Sequence, residues 1–110
     1  MLNESTEARL YAALETVMQA DHLAMDGEPG EAAVYRFARQ DGIWESDVPI
    51  MLLDVYEVRV YQRDFDERRV WEVRDALREA GFQVTARGAE AMENGYYRFL
   101  LEVSAEAEER

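Results

Sequence analysis

The chain has 110 residues, no cysteine and no lysine, and 24 acids against 12 bases, for a net charge of −12. That length fits one domain with a core of its own, and the absence of cysteine excludes disulfides, zinc–thiolate sites, iron–sulfur clusters and thiol nucleophiles. The acidic balance argues against nonspecific binding to nucleic acid or an anionic membrane, which needs clustered cations. The longest apolar runs, such as Ile50-Met51-Leu52-Leu53, fall far short of the ~20 residues that span a bilayer. With no basic stretch leading into an apolar one at the N-terminus, a soluble, cytoplasmic chain is expected.

Ser5 or Thr6 is placed to cap a first helix. Its apolar stripe is Leu10, Ala13, Leu14, Val17 and Met18, with Glu4 and Glu7 favourably near the positive end of the helix dipole. The spacing predicts a helix to about Ala20 or Leu23. Two glycines and a proline between Met25 and Gly30 mark a loop. Ala33 to Arg39 reads as a strand, Gln40-Asp41-Gly42 as a turn, and Trp44 to Pro49 as a loop or short irregular strand.

Leu53 to Gln62 alternates, with Tyr56, Val58 and Val60 to one side and Glu57, Arg59 and Tyr61 to the other. This is the pattern of a sheet with one dry face. A second helix is expected from about Phe65 to Ala80. It would be capped by Asp64 with Glu67 three residues on, striped by Val70, Val73, Leu77 and Ala80, and stopped by Gly81. Phe82 to Arg87 and Tyr96 to Ser104 complete the strands, separated by a loop from Gly88 to Gly95.

The expected fold is α+β, in the order α-β-β-β-α-β-β, with a mostly antiparallel sheet and two helices packed on its dry face. Residues 1–104 form the domain, and 105–110 an acidic, flexible tail. The other sheet face would display Arg59, Tyr61, Tyr96, Arg98 and Leu100. With Trp44 these are the candidate subunit-interface residues, because interfaces favour aromatics and arginine. A purely solvent-exposed role is the competing explanation, since tyrosine is a good strand former.

Charge is unevenly distributed. Asp41 to Glu57 holds five acids and no base, whereas Val58 to Arg87 holds seven arginines and six acids. Such asymmetry can steer like subunits head to tail.

Chemistry is harder to find. His22 is the sole histidine, and Asp21 and Asp26 beside it have no metal-ligand spacing. Ser5, Ser46 and Ser104 sit in no glycine-flanked elbow. Asp26-Gly27-Glu28 does not continue into a calcium loop, and no phosphate loop or dinucleotide fingerprint occurs. No enzyme activity, cofactor or metal is expected.

The segment Tyr56-Glu57-Val58-Arg59-Val60-Tyr61, a charged turn, a helix ending Leu77-Arg78-Glu79-Ala80-Gly81-Phe82, and a strand at Gly95-Tyr96-Tyr97-Arg98-Phe99 together resemble the tail-completion and tail-terminator proteins of long-tailed bacteriophages and prophages. Leu10 to Met18 and Val34-Tyr35 fall where that family has its first helix and an early strand. Trp44-Glu45-Ser46-Asp47 matches the family's aromatic-Ala-Asp element only loosely, and Leu23 to Glu31 matches no motif. The resemblance implies a virion structural protein, assembled in the host cytoplasm into a homo-oligomeric, hexameric ring at the head–tail junction. Its partners would be the tail-tube protein and head–tail connector proteins. DNA would pass through the ring without specific binding, kept from sticking by a negative wall. The alternative is an acidic regulatory or inhibitor protein that binds a basic partner as a DNA mimic. The seven interspersed arginines break up the carboxylate row such a mimic needs.

Overall fold

A computed structural model describes residues 5–23 and 30–107. The order is α1 (Thr6–Glu15), β1 (Ala20–His22), β2 (Ala32–Glu45), β3 (Val48–Gln62), α2 (Glu67–Glu79), β4 (Gln83–Ala91) and β5 (Tyr97–Glu106). This is the expected α-β-β-β-α-β-β order in an α+β fold. The five strands form one sheet, β1-β2-β3-β5-β4, antiparallel throughout except for β1 against β2.

The helix ends are set by local chemistry. Ser5 Oγ accepts a hydrogen bond from the Ala8 amide at 3.0 Å and caps α1. Asp66, not Asp64, caps α2, its carboxylate accepting from the Arg68 amide at 3.0 Å. Gly81, with φ of +97°, stops α2: the Phe82 amide donates to Leu77 O and the Gly81 amide to Arg78 O. Gln62 joins β3 to α2. Its side-chain amide donates to Asp66 O, and its carbonyl accepts from the Asp66 amide, both at 3.2 Å.

The core lies between the helices and one sheet face. Leu10, Ala13 and Leu14 of α1 and Val70, Val73 and Leu77 of α2 meet Val58, Val60, Phe99, Leu101 and Val103 of the sheet. The alternation expected in β3 and β5 places those sheet residues on the buried side. Trp71 packs at the margin, edge-on to Phe99.

Several expectations change, among them the Gly88–Gly95 loop, whose first four residues belong to β4. α1 ends at Glu15, and Met18 is buried in the turn that follows it. The early chain gains β1, a three-residue parallel edge strand. Gln40-Asp41-Gly42 is not a turn: β2 runs through it to Glu45, and the chain reverses at Ser46-Asp47, with φ of 49° and 65°. Two consecutive positive φ values match the twist of a tight hairpin, and Asp tolerates them where most residues do not. Trp44 to Pro49, expected as a loop or short irregular strand, is the paired end of the β2–β3 hairpin.

Residues 105–107, expected as the start of an acidic flexible tail, are paired to β3. Ala105 is buried and pairs with Asp54, Glu106 pairs with Leu53, and the Ala107 amide donates to Leu52 O at 2.8 Å. Backbone pairing to β3 outweighs the polar composition of this stretch. Residues 108–110 lie outside the described residues, as do Asp26, Gly27 and Glu28.

Candidate interaction surface

Three features stand outside the core. The first is the sheet face turned away from the helices. Cross-strand register places Arg36 with Glu57, Arg59 with Leu100, Tyr61 with Arg98, Glu57 with Glu102, Thr85 with Glu102, and Glu90 with Arg98. Arg59, Tyr61, Arg98 and Leu100 are thus brought together as expected. Tyr96 immediately precedes β5, at the end of the β4–β5 turn, where its carbonyl accepts from the Met92 amide and its amide donates to Asn94 Oδ1. That turn, closed by Gly95 with φ of +85°, delays the strand by one residue.

The arginines of this face are engaged by its own acids. Glu57 and Glu102 stand directly opposite, a repulsive arrangement that cations resolve. Arg36 reaches Glu57 at 2.6 Å and Arg59 reaches it at 3.3 Å. Glu102 is bridged by Arg39 from β2 and by Arg87 from β4, the latter at 2.9 Å. Hydrogen bonds from Arg39 above all, and from Arg87, hold the Glu102 carboxyl below the ordinary carboxylate range, against the opposing effect of burial. Arg98 bonds Glu90 at 2.6 Å, with the Tyr61 hydroxyl also within reach. A face whose charges are already paired offers less to a partner than its arginine content implies.

The second feature is the β2–β3 hairpin. β3 has 15 residues, which at ~3.3 Å per residue span about 50 Å, matching the 48 Å long dimension of the molecule. Pairing to β5 reaches Leu53, with one further bond at Leu52. From Gly42 to Leu52 the hairpin is a two-stranded arm, and no residue in it is buried. Ile43 pairs with Met51 and Trp44 with Pro49, leaving Ile50 as the extra residue at a register shift. Because partners share a face and neighbours alternate, both faces of the arm are apolar. Ile43, Trp44, Val48 and Ile50 are 49–61% exposed.

Trp44 therefore sits at the arm tip, apart from the other candidates. Its indole lies over Gly42, so a Cβ at Gly42 would collide with Trp44 Nε1. The arm was half-legible in the sequence. The apolar run Ile50–Leu53 is its signal, but the turn-like Gln-Asp-Gly before it hid the pairing.

The third feature is a groove of about 570 Å³ between α1 and α2, floored by Ala12, Ala13, Ala76 and Ala80 and flanked by Arg9 and Glu79. Arg9 Nε is buried without a hydrogen-bond partner, and its guanidinium lies 5.0 Å from the Phe82 ring centroid.

His22 lies 3.4 Å from Glu7 and stacks on Tyr35 at 5.1 Å. Among the described residues no three His, Asp or Glu side chains converge as metal ligands, and no helix is long and apolar enough to cross a membrane. No protein-family model matches the chain, and no curated protein matches it either.

Proposed function

We propose that the protein is a non-enzymatic virion structural subunit of the tail-completion or tail-terminator type. It would assemble with its own copies into a ring at the head-proximal end of a phage or prophage tail, between the tail-tube protein and the head–tail connector. The observation that carries this is the uncovered β2–β3 arm, apolar on both faces from Gly42 to Leu52. Monomeric proteins rarely present a long strand pair in this state, because it invites association. The sequence resemblance carried by Tyr56–Tyr61, Leu77–Phe82 and Gly95–Phe99 selects the virion context from among self-associating proteins. The net charge of −12 suits a conduit for DNA, since like charges keep the polymer from adsorbing.

The engaged carboxylates count against a DNA mimic. Glu57, Glu90 and Glu102 are each bound by arginine, whereas a mimic must present free, ordered negative charge.

Light scattering over a concentration series, with negative-stain electron microscopy of the concentrated sample, tests the proposal. Closed rings, formed alone or on addition of the tail-tube protein, are the expected result. A strictly monomeric particle under both conditions contradicts it.

A further inference from the structure

We infer that the outer edge of β2 in one copy pairs with the outer edge of β4 in the next, so that the sheet continues from copy to copy. The inference rests on the subunit role proposed above and names the contact by which copies would join.

Both edges are open. β1 pairs with β2 only from Ala33 to Tyr35, and among the described residues nothing pairs with β2 from Arg36 to Glu45 or with the far side of β4. At ~3.3 Å per residue each run is about 30 Å long. β4 is exposed at every position except Val84, and neither run contains proline. Such edges are templates for an added strand. The arm has the greater need, because two strands alone are marginal and a third supports them.

The directions agree. β2, β3, β5 and β4 are each antiparallel to the next, so β2 and β4 run opposite ways. Two copies set side by side in the same orientation therefore bring these edges together as an antiparallel pair, with open face continuing open face.

Charge selects the register. Arg39 and Arg87 both bind Glu102, Asp41 binds Arg39, and Glu90 binds Arg98, so all four charges belong to the open face. With Trp44 set opposite Val84, Gly42 meets Ala86, Asp41 meets the bulge at Arg87 and Gly88, and Arg39 meets Glu90. Acid faces base at both charged positions. A shift of two residues one way sets Arg39 against Arg87, and the other way sets Asp41 against Glu90. A shift of one turns open face onto helix face. These charges are already engaged within each copy, so they exclude wrong registers more than they add strength. Strength comes from the main-chain bonds and from covering Trp44 and Ile43, which lie exposed in the single copy. Pairing two arms with each other instead would bring together tips that hold Glu45 and Asp47 and no base.

The two edges are different patches, so the contact is heterologous. It repeats from copy to copy and closes into a ring where the rotation allows.

The chain has no cysteine, so single cysteines report the contact directly. Ile43→Cys marks the β2 edge and Thr85→Cys marks the β4 edge, both at exposed positions. The register sets these residues opposite each other, with Cα atoms about 4.5–5.5 Å apart, inside the range a disulfide spans. Under mild oxidation an equal mixture is expected to give the mixed 43–85 dimer in excess of either homodimer. Asp41→Arg sets two arginines opposite at the joint and is expected to weaken self-association by about tenfold, with unchanged circular dichroism. A 43–43 or 85–85 dimer as the main product overturns the inference in favour of like edges pairing, and self-association that Asp41→Arg leaves unmoved overturns it too. Oligomers that persist by light scattering without any 43–85 link overturn the inference alone and leave the subunit role standing. A wild-type chain that is monomeric under all conditions overturns both.

Discussion

Gly42 and Trp44 act as a pair. Gly42 is the one strand glycine over which a neighbouring ring has closed, and a methyl group there must push the indole aside. Because Trp44 is mostly exposed, Gly42→Ala is expected to change stability by no more than about 1 kcal/mol while altering the fluorescence of Trp44 and weakening assembly. Fluorescence of a Trp71→Phe background, which leaves Trp44 as the single tryptophan, reads this directly. An unchanged spectrum would mean that the indole does not rest on Gly42.

Glu102 is the corresponding residue of the open face. Its folded pKa is depressed by Arg39 and Arg87, so its contribution to stability is fully present above its unfolded pKa and is lost as pH falls through the folded value. Because both arginines are about half-exposed, Glu102→Gln should cost at most about 1 kcal/mol at neutral pH. Wild type and variant should converge in thermal melts taken below the ordinary carboxylate range. A gap that stays constant from neutral to acidic pH would assign Glu102 a packing role instead.

At the scale of elements, legibility followed the strength of local signals. α2 was readable because cap, stripe and glycine stop agree, and even there the cap moved two residues, since Asp64 and Asp66 look alike in sequence. β5 was readable from strict alternation. β1 was not, because three residues carry no period and its pairing to Ala33–Tyr35 is set by tertiary context. The hairpin end was missed because Gln40-Asp41-Gly42 has the composition of a turn, while the actual turn at Ser46-Asp47 depends on paired positive φ values.

Two variants probe the elements. Gly81→Ala should destabilise by about 1 kcal/mol, because alanine resists a φ of +97°. Gln62→Ala, which strips both bonds to Asp66 from a buried site, should cost about 1–3 kcal/mol. Chemical denaturation measures both, and a neutral Gln62→Ala would show that the β3–α2 junction is held by packing alone.

At the scale of the molecule, an arm projects from a compact body. For 110 residues a compact domain has a radius of gyration of about 13 Å, whereas this one has 14.9 Å, an excess consistent with the arm. The candidate interface was only partly legible in sequence. Arg59, Tyr61, Arg98 and Leu100 do share the open face, yet their neighbours Glu57, Glu90 and Glu102 neutralise it, and sequence alternation does not reveal cross-strand ion pairs. Trp44 was a candidate interface residue from its type and setting, and it lies exposed at the arm tip. The strand pair that carries it, and the groove beside Arg9, emerge only when distant segments are folded together.

The central claim is that the arm serves assembly and not the stability of the body. It is tested most directly by sedimentation velocity on the full chain and on a variant in which residues 44–50 are replaced by Asn-Gly, a two-residue turn that rejoins the paired Ile43 and Met51. The account predicts larger species for the full chain at high concentration, and a monomer with an unchanged melting temperature for the shortened one. Undiminished assembly of the shortened chain, or its failure to fold, would contradict it.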